Sequence, residues 1–410
     1  MLKVVDLFSG AGGMSYGFHA HQGFNVVAAV DAQIGKPSAG KGSLSCNQSY
    51  EANIGIRPIE IDLSEVSPKE LSSLIREKTD GSNPDVLISC APCTGYSRVV
   101  RSRLVAGDPR NNLVLKTADF VEELSPRIVV MENVVELLNG NFSYIFDEFK
   151  SRLEALGYQV QADVHNLERY GLPQKRRRVL VIAVKNSLTL HTLDSLWEGW
   201  ICPEKYTTVR HAIAGLEKLE AGESSLKDKE HTSPAISEIS RKRFELMPRN
   251  GGSWTDLLKV EGGYDLLIPS HKKLADQGKV GGHRDVYGRL FWDNPAPTIK
   301  RECAHMGNGR YSHPEQNRLC TVRELAILQG FPKDYRFVSS SLANRYRHVG
   351  DAVPPLVSHQ IAHLCHASLE GYNPNLKDCI LPNTTLKSSD LERSNREDAF
   401  VQQDLLISNN

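Results

Sequence analysis

Cys90 and Cys93 stand three apart in the stretch SCAPCTGYS, directly after the apolar run Val86-Leu87-Ile88. Such a pair can be a dithiol redox couple, half of a metal site, or one working thiol beside a bystander. No second C-x-x-C in the chain completes a zinc set, which disfavours a metal. Other residues able to do chemistry are Asp31, Asp62 and the pair Glu132-Asn133, each following a short apolar run, and the glycine-rich turn Ser9-Gly10-Ala11-Gly12-Gly13. That turn is not the dinucleotide pattern, because Ser15 stands where G-x-G-x-x-G needs its third glycine. A tight glycine turn with an acid at the end of the next strand suits a ligand with a ribose and no pyrophosphate, Asp31 accepting from the ribose hydroxyls. A plain turn followed by an unrelated strand-end acid is the competing reading. A second glycine stretch, IGKPSAGKGS at 34–43, misses the phosphate-loop pattern at Gly42, where a magnesium-binding Ser or Thr belongs, and reads as a flexible surface insertion.

Positioning these residues calls for strands that end where they stand. Short β-branched runs predict strands at 4–8, 26–31, 59–63, 85–89 and 127–131, with two more at 158–165 and 179–184. Between them FSYIFDEFKSRLEALG is apolar at 142, 145, 146, 149, 153 and 156, an amphipathic helix ended by Gly157. This alternation predicts an α/β fold with a doubly wound, mostly parallel sheet. Ligands collect beyond the carboxyl ends of such strands, and the first five strands all deliver unusual residues there.

Bulk properties exclude little. At 40% hydrophobic and 24% charged residues, the composition is that of a globular protein, and 410 residues suffice for two domains. No apolar run is long enough to span a membrane, and MLKVVDLFSG at the N-terminus reads as a strand rather than a signal peptide. Eight irregularly spaced cysteines fit a reducing cytoplasm. Net charge is zero, so no nucleic-acid partner is announced by charge, and each local cluster of Lys and Arg taken alone reads as solvated surface.

The ordered blocks DLFSGAGG (6–13), PCTGYS (92–97), ENV (132–134), QKRRR (174–178), RLCTVRELAILQGFP (318–332) and RHVGDAVPPLV (347–357) resemble the cytosine-C5 DNA methyltransferases, over about residues 1–185 and 286–368. The resemblance implies a Rossmann-like, S-adenosylmethionine-dependent enzyme. C5 of cytosine is too poor a nucleophile to take a methyl group unaided. A thiolate added at C6 makes the ring an enamine and brings electron density to C5. By resemblance that thiol is Cys93, and Cys90 is the bystander. Glu132 would protonate N3 and accept from the exocyclic amine. Arg178 would meet the base O2, with Arg176 supporting the thiol loop or a phosphate. The donor would be held by Phe8, Gly10 and Gly12, by Asp31 at the ribose and by Asp62 and Leu63 at the adenine. Pro92, Leu113, Asp351, Ala352 and Val353 would complete its pocket. Asp31 replaces the family's usual Glu, and Asp351 stands where Asn is common, placing a charge near the donor's amino-acid end.

The resemblance also divides the chain into a catalytic domain (1–188, completed by 343–368), a target-recognition domain (189–342) and a polar, flexible tail (369–410). Attack on C6 requires the cytosine to leave the duplex. Arg98, Arg101 and Arg103 on the 94–110 loop, a candidate lid, and Gln174 are the expected DNA contacts. Double-stranded DNA is the expected partner of a cytoplasmic monomer acting at the bacterial nucleoid, without metal or membrane, and with a separately encoded cognate restriction endonuclease. Two alternatives remain: a transfer-RNA cytosine methyltransferase, whose Cys-Phe-Thr block is not found here, and a donor- and DNA-binding regulator without catalysis.

Overall fold

The computed structural model describes residues 1–33, 44–92, 112–139, 143–281 and 285–394. Its centre is a six-stranded sheet built from β1 (Leu2–Leu7), β2 (Phe24–Val30), β3 (Val86–Ser89), β4 (Ile128–Asn133), β5 (Tyr158–Asn166) and β7 (Arg177–Lys185), in the order β2-β1-β3-β4-β7-β5. A two-residue strand, β6 (Gln174–Lys175), lies outside it and pairs with Ala296–Pro297. The first four sheet strands run parallel, while β7 is antiparallel to both β4 and β5. The expected strand at 59–63 is absent. Pro58 precedes it, and only Ile59 bridges to Val30 before the chain turns away at Asp62.

Because side chains alternate along a strand, each strand feeds two layers. Val4, Val26, Ile88, Val130 and Ile182 pack on one face with α1 (Gly13–His19) and the helix Pro355–Glu370. Val5, Leu87, Val129, Met131 and Val181 pack on the other with α3 (Pro68–Lys78), α4 (Leu113–Leu124) and α5 (Ser143–Ala155). In α5 the predicted stripe is the buried one: Ile145, Phe146, Phe149 and Leu153 face inward. Between α1 and α3 lies α2 (Cys46–Ile54).

Residues 209–352 build a third cluster around Val209, Leu290, Trp292, Leu325, Phe331 and Tyr346, and a small fourth one forms around Trp254 and Leu257. In the third cluster Arg318 and Glu324 form a fully buried ion pair with two contacts of 2.8 Å. The returning segment splits between units: Tyr346, Val349 and Ala352 pack into this cluster, and Val353 onward joins the catalytic core. Residues 370–394 depart from the expected loose tail, whose remainder, 395–410, lies outside the described residues. Leu376, Cys379, Leu386 and Leu391 are buried against the catalytic core, and Glu392–Arg393 pair with Trp200–Ile201. Among the described residues no helix is long and apolar enough to cross a membrane.

Candidate active site

Strand β1 runs into the glycine turn with Phe8, Gly10 and Gly12 all at positive φ (65°, 52° and 94°). Glycine adopts this region freely; Phe8 does so at a cost in backbone strain, which functional sites tend to hold. The turn is pinned by Asp31 at the end of β2: Oδ2 accepts from Gly10 N (2.9 Å) and Oδ1 from Gln33 N (2.7 Å). The Cys46 thiol at the start of α2 also approaches Oδ1 (3.5 Å). Burial raises the Asp31 carboxyl above its ordinary range, and these hydrogen bonds oppose the rise. A carboxylate offers about four acceptor positions, so one on Oδ2 remains for a ligand hydroxyl. Asp62 uses Oδ1 for Ser64 N (2.8 Å) and Ser64 Oγ (2.7 Å), and among the described residues Oδ2 has no hydrogen-bond partner. Leu63 is buried behind it. An acceptor pinned to an open glycine turn and a second carboxylate with an oxygen left over fit the hydroxyls and amine of S-adenosylmethionine.

Residues 351–353, expected to wall the donor pocket, return to this turn. A Cβ built on Gly13 would lie 2.3 Å from Val353 O, so only glycine lets this segment reach the turn. The carbonyl of Ala352 is held by Gln329 Nε2 (2.7 Å) and Arg176 Nη2 (3.3 Å). Asp351 pairs with Arg301 at 2.7 Å, a partner that the sequence did not single out. The charge that Asp351 brings is therefore balanced within the protein. Tyr335, also missed, donates its hydroxyl to Ala11 O from beneath the turn. Its only sequence signal was an aromatic beside the GFP block.

Under the turn, Asp6 is buried with Ser15 donating to it (2.5 Å) and Tyr50 donating to Ser15 (2.7 Å). Burial pushes the Asp6 carboxyl up to about 8.

Glu132 ends β4 on the same sheet edge. Arg178 Nε lies 3.0 Å from Glu132 Oε1 and Arg176 Nη2 lies 3.5 Å from it. Alternation places Arg176 and Arg178 on one side and turns the exposed Arg177 away. Arg176 is buried and reaches the carbonyls of Ile299 (3.5 Å) and Ala352 as well as Glu132, and the loop from 93 that it was expected to support lies outside the described residues. Asn133 donates to Ala91 O (3.3 Å), fixing the ends of β3 and β4 side by side. Gln174, expected against DNA, is fully buried. Its amide bonds Gln329 Oε1 (2.6 Å), Leu328 O (3.3 Å) and Ile299 N (3.0 Å), and it joins the two units. Pro92 is exposed at the end of the β3 loop, Leu113 is buried at the start of α4, and Cys90 is half-buried against the core. Cys93, Arg98, Arg101 and Arg103, together with the 34–43 insertion, lie outside the described residues.

A sheet of this order, with its polar groups gathered on the carboxyl edge, defines the α/β fold of S-adenosylmethionine-dependent methyltransferases. The sequence profile of the C-5 cytosine-specific DNA methylases matches residues 2–367, and the chain belongs to that family. It is 33% identical over 377 residues to the Type II methylase M.HgiDII of Herpetosiphon aurantiacus, covering 90% of this chain and 96% of that one. The Type II methyltransferase M1.HphI of Haemophilus parahaemolyticus is 31% identical, with 88% and 86% covered. A putative DNA modification methyltransferase encoded within an Escherichia coli prophage has the same fold, with a TM-score of 0.65, 22% identity, and 90% and 100% covered. The enzyme is thus a DNA cytosine-5-methyltransferase with S-adenosylmethionine as methyl donor.

Proposed function

We propose that this enzyme methylates one cytosine within a specific duplex sequence through a covalent adduct between Cys93 and C6, and so protects DNA from a cognate endonuclease. The observation that carries the reading is Glu132, held on the sheet edge by Arg178 and Arg176 beside the β3 loop that leads to Cys93. In this reading Glu132, as the acid, gives a proton to N3 as the Cys93 thiolate adds to C6. The C5=C6 electrons are then those of an enamine, nucleophilic at C5. S-adenosylmethionine, when bound, supplies the electrophilic methyl group. Arg178 sits where it can orient the base and hold Glu132. Loss of the C5 proton to a base restores the C5=C6 bond as the Cys93 thiolate leaves, and the N3 proton returns to Glu132.

Residues 189–342 are the proposed sequence reader. Support comes from the two clusters formed by residues 209 onward, whereas Leu193, Leu196 and Trp197 at the start of the segment pack into the catalytic core. The chain itself carries the Glu132, Arg176 and Arg178 group and the donor-pocket residues, which supports a monomer acting in the cytoplasm, at the nucleoid. The test is duplex DNA carrying 5-fluorocytosine at the site found by bisulfite sequencing of host DNA. Fluorine cannot leave as a cation, so a donor-dependent complex that survives denaturation is expected, absent in Cys93→Ser and kept in Cys90→Ser. Trapping on RNA alone would turn the reading to a transfer-RNA enzyme, and no trapping on either would end the covalent mechanism.

A further inference from the structure

A cavity of about 590 Å³ opens on the surface between α2 and residues 227–230 and 333–345, outside the donor and base sites. Six cationic side chains line it, against three carboxylates. Two of the carboxylates are already committed. Asp228 takes Arg323 through contacts of 2.6 and 3.2 Å. Glu230 accepts from Phe337 N on Oε1 (3.1 Å) and faces Arg345 at 3.7 Å on Oε2, which is buried without a hydrogen bond. The remaining Lys227, Lys229, Lys333 and Arg336 have no ion-pair partner among the described residues and face only the exposed Asp334. The cavity therefore carries an excess of three positive charges.

Two independent features give this excess a direction. Arg323 is 4% exposed, and its Nη1 is buried with no hydrogen-bond partner. A buried guanidinium nitrogen left unbonded is costly unless something supplies an acceptor. The ten-residue helix Leu342–Asp351 also starts at the cavity wall, beside Ser339 and Ser340. Its first turn holds no acid, and no side chain caps it. Unsatisfied N–H groups and the helix dipole favour an anion at such an end.

We propose that this cavity binds a phosphate group, either the phosphate of a small compound or one in a DNA backbone beyond the recognised sequence. Its wall is joined to the donor site. Ser49 of α2 accepts from Val338 N (2.8 Å), while the neighbouring Asn47 donates to Asp31 O (3.1 Å). A ligand that braces the 333–345 segment against α2 thus braces the helix that holds Asp31.

The test uses the full chain and tripolyphosphate as probe, titrated calorimetrically at constant ionic strength. Saturable one-to-one binding is expected. The triple variant Lys229→Gln/Lys333→Gln/Arg336→Gln changes only exposed side chains and should weaken that binding at least tenfold, with the melting temperature without phosphate unchanged. A second arm measures binding of an A·T-only duplex against salt, where each lost phosphate contact lowers the slope by about 0.9. A reduced slope in the variant, with competition by tripolyphosphate, assigns the site to DNA backbone. Loss of tripolyphosphate binding with an unchanged slope assigns it to a small phosphate compound. Absence of saturable binding, or binding untouched by the triple variant, overturns the proposal.

Discussion

Adding one methyl group at Gly13 should separate the donor pocket from its far wall, and the same addition at Gly17 should not. Neither glycine has a positive φ, so alanine brings no backbone strain and only space is tested. At Gly13 the new Cβ would meet Val353 O at 2.3 Å and Ala352 Cβ at 2.9 Å. At Gly17 it would meet Ser358 Oγ at 2.2 Å and His359 N at 2.3 Å. An ordinary contact needs roughly 1 Å more, so in each variant the packed segment must move away, at an overpacking cost of about 1–3 kcal/mol. For a protein of this size that lowers the melting temperature by roughly 1–4 °C. The displaced atoms differ in consequence. Around Gly13 they belong to 352–353, in the donor pocket, whereas around Gly17 they belong to one side of a helix beyond it. If half of the cost falls on donor contacts, S-adenosylmethionine binding weakens about twofold to twelvefold in Gly13→Ala, since 1.4 kcal/mol is a factor of ten. Calorimetric titration of donor and thermal unfolding of both variants measure the two effects. Equal donor affinity in the two variants, each with a lowered melting temperature, would refute the placement of 352–353 in the donor pocket.

Glu132→Gln keeps the contact to Arg178 but cannot transfer a proton, and single-turnover methyl transfer should fall roughly a hundredfold or more, the scale of a general acid. Glu324→Gln leaves Arg318 buried without its counter-charge and should cost about 3–5 kcal/mol in denaturant unfolding. Burial alone would raise the Glu324 carboxyl, but the Arg318 contacts hold it below its ordinary value. Its contribution is therefore present above the usual carboxylate range and lost as pH falls through the lowered folded value, a dependence that Glu324→Gln should remove. His21, His359 and His363 cluster beside α1, with His21 lowered to about 4 and His363 to about 3 by burial and by one another. The unfolded chain binds their protons first. Stability should therefore be full above about pH 6.5 and decline as pH falls toward 4, more gently in His363→Gln.

The strand ends were legible because the sheet's alternation and its odd residues coincide: Asp31, Glu132 and the turn at 9–13 all stand on the carboxyl edge. Strand direction was less legible, although a clue existed. The short 167–176 connection between β5 and β7 leaves no room for the crossover that parallel neighbours need. Asp62 reached the site without a strand, because hydrogen bonds of Ile59 to Ala29 and Asp31 suffice to place the loop. Gln174 and the internal contacts of Arg176 were not legible for one reason. Polarity marks a residue as exposed until a junction between two units offers it internal partners, and sequence patterns do not display junctions. The buried 376–391 segment escaped notice because its Leu and Cys anchors are spaced irregularly among polar residues.

The proposed donor pocket is assembled from both sides of a long excursion of the chain. Asp31 and the glycine turn leave the ribosome early, whereas Ala352 and Val353 follow only after the whole intervening unit. At about 5–20 residues per second, that interval lasts on the order of 15–60 s. During it, α1 lacks the helix Pro355–Glu370 that covers its apolar side, so Met14 and Phe18 await their cover. Such contacts between distant residues slow folding and lengthen exposure to aggregation. If 352–353 do wall the donor pocket, the same order of events imposes a safeguard. A nascent chain released before residue 353 has its turn and its acid but no far wall, and methylation would begin only once the proposed sequence-reading unit had been made.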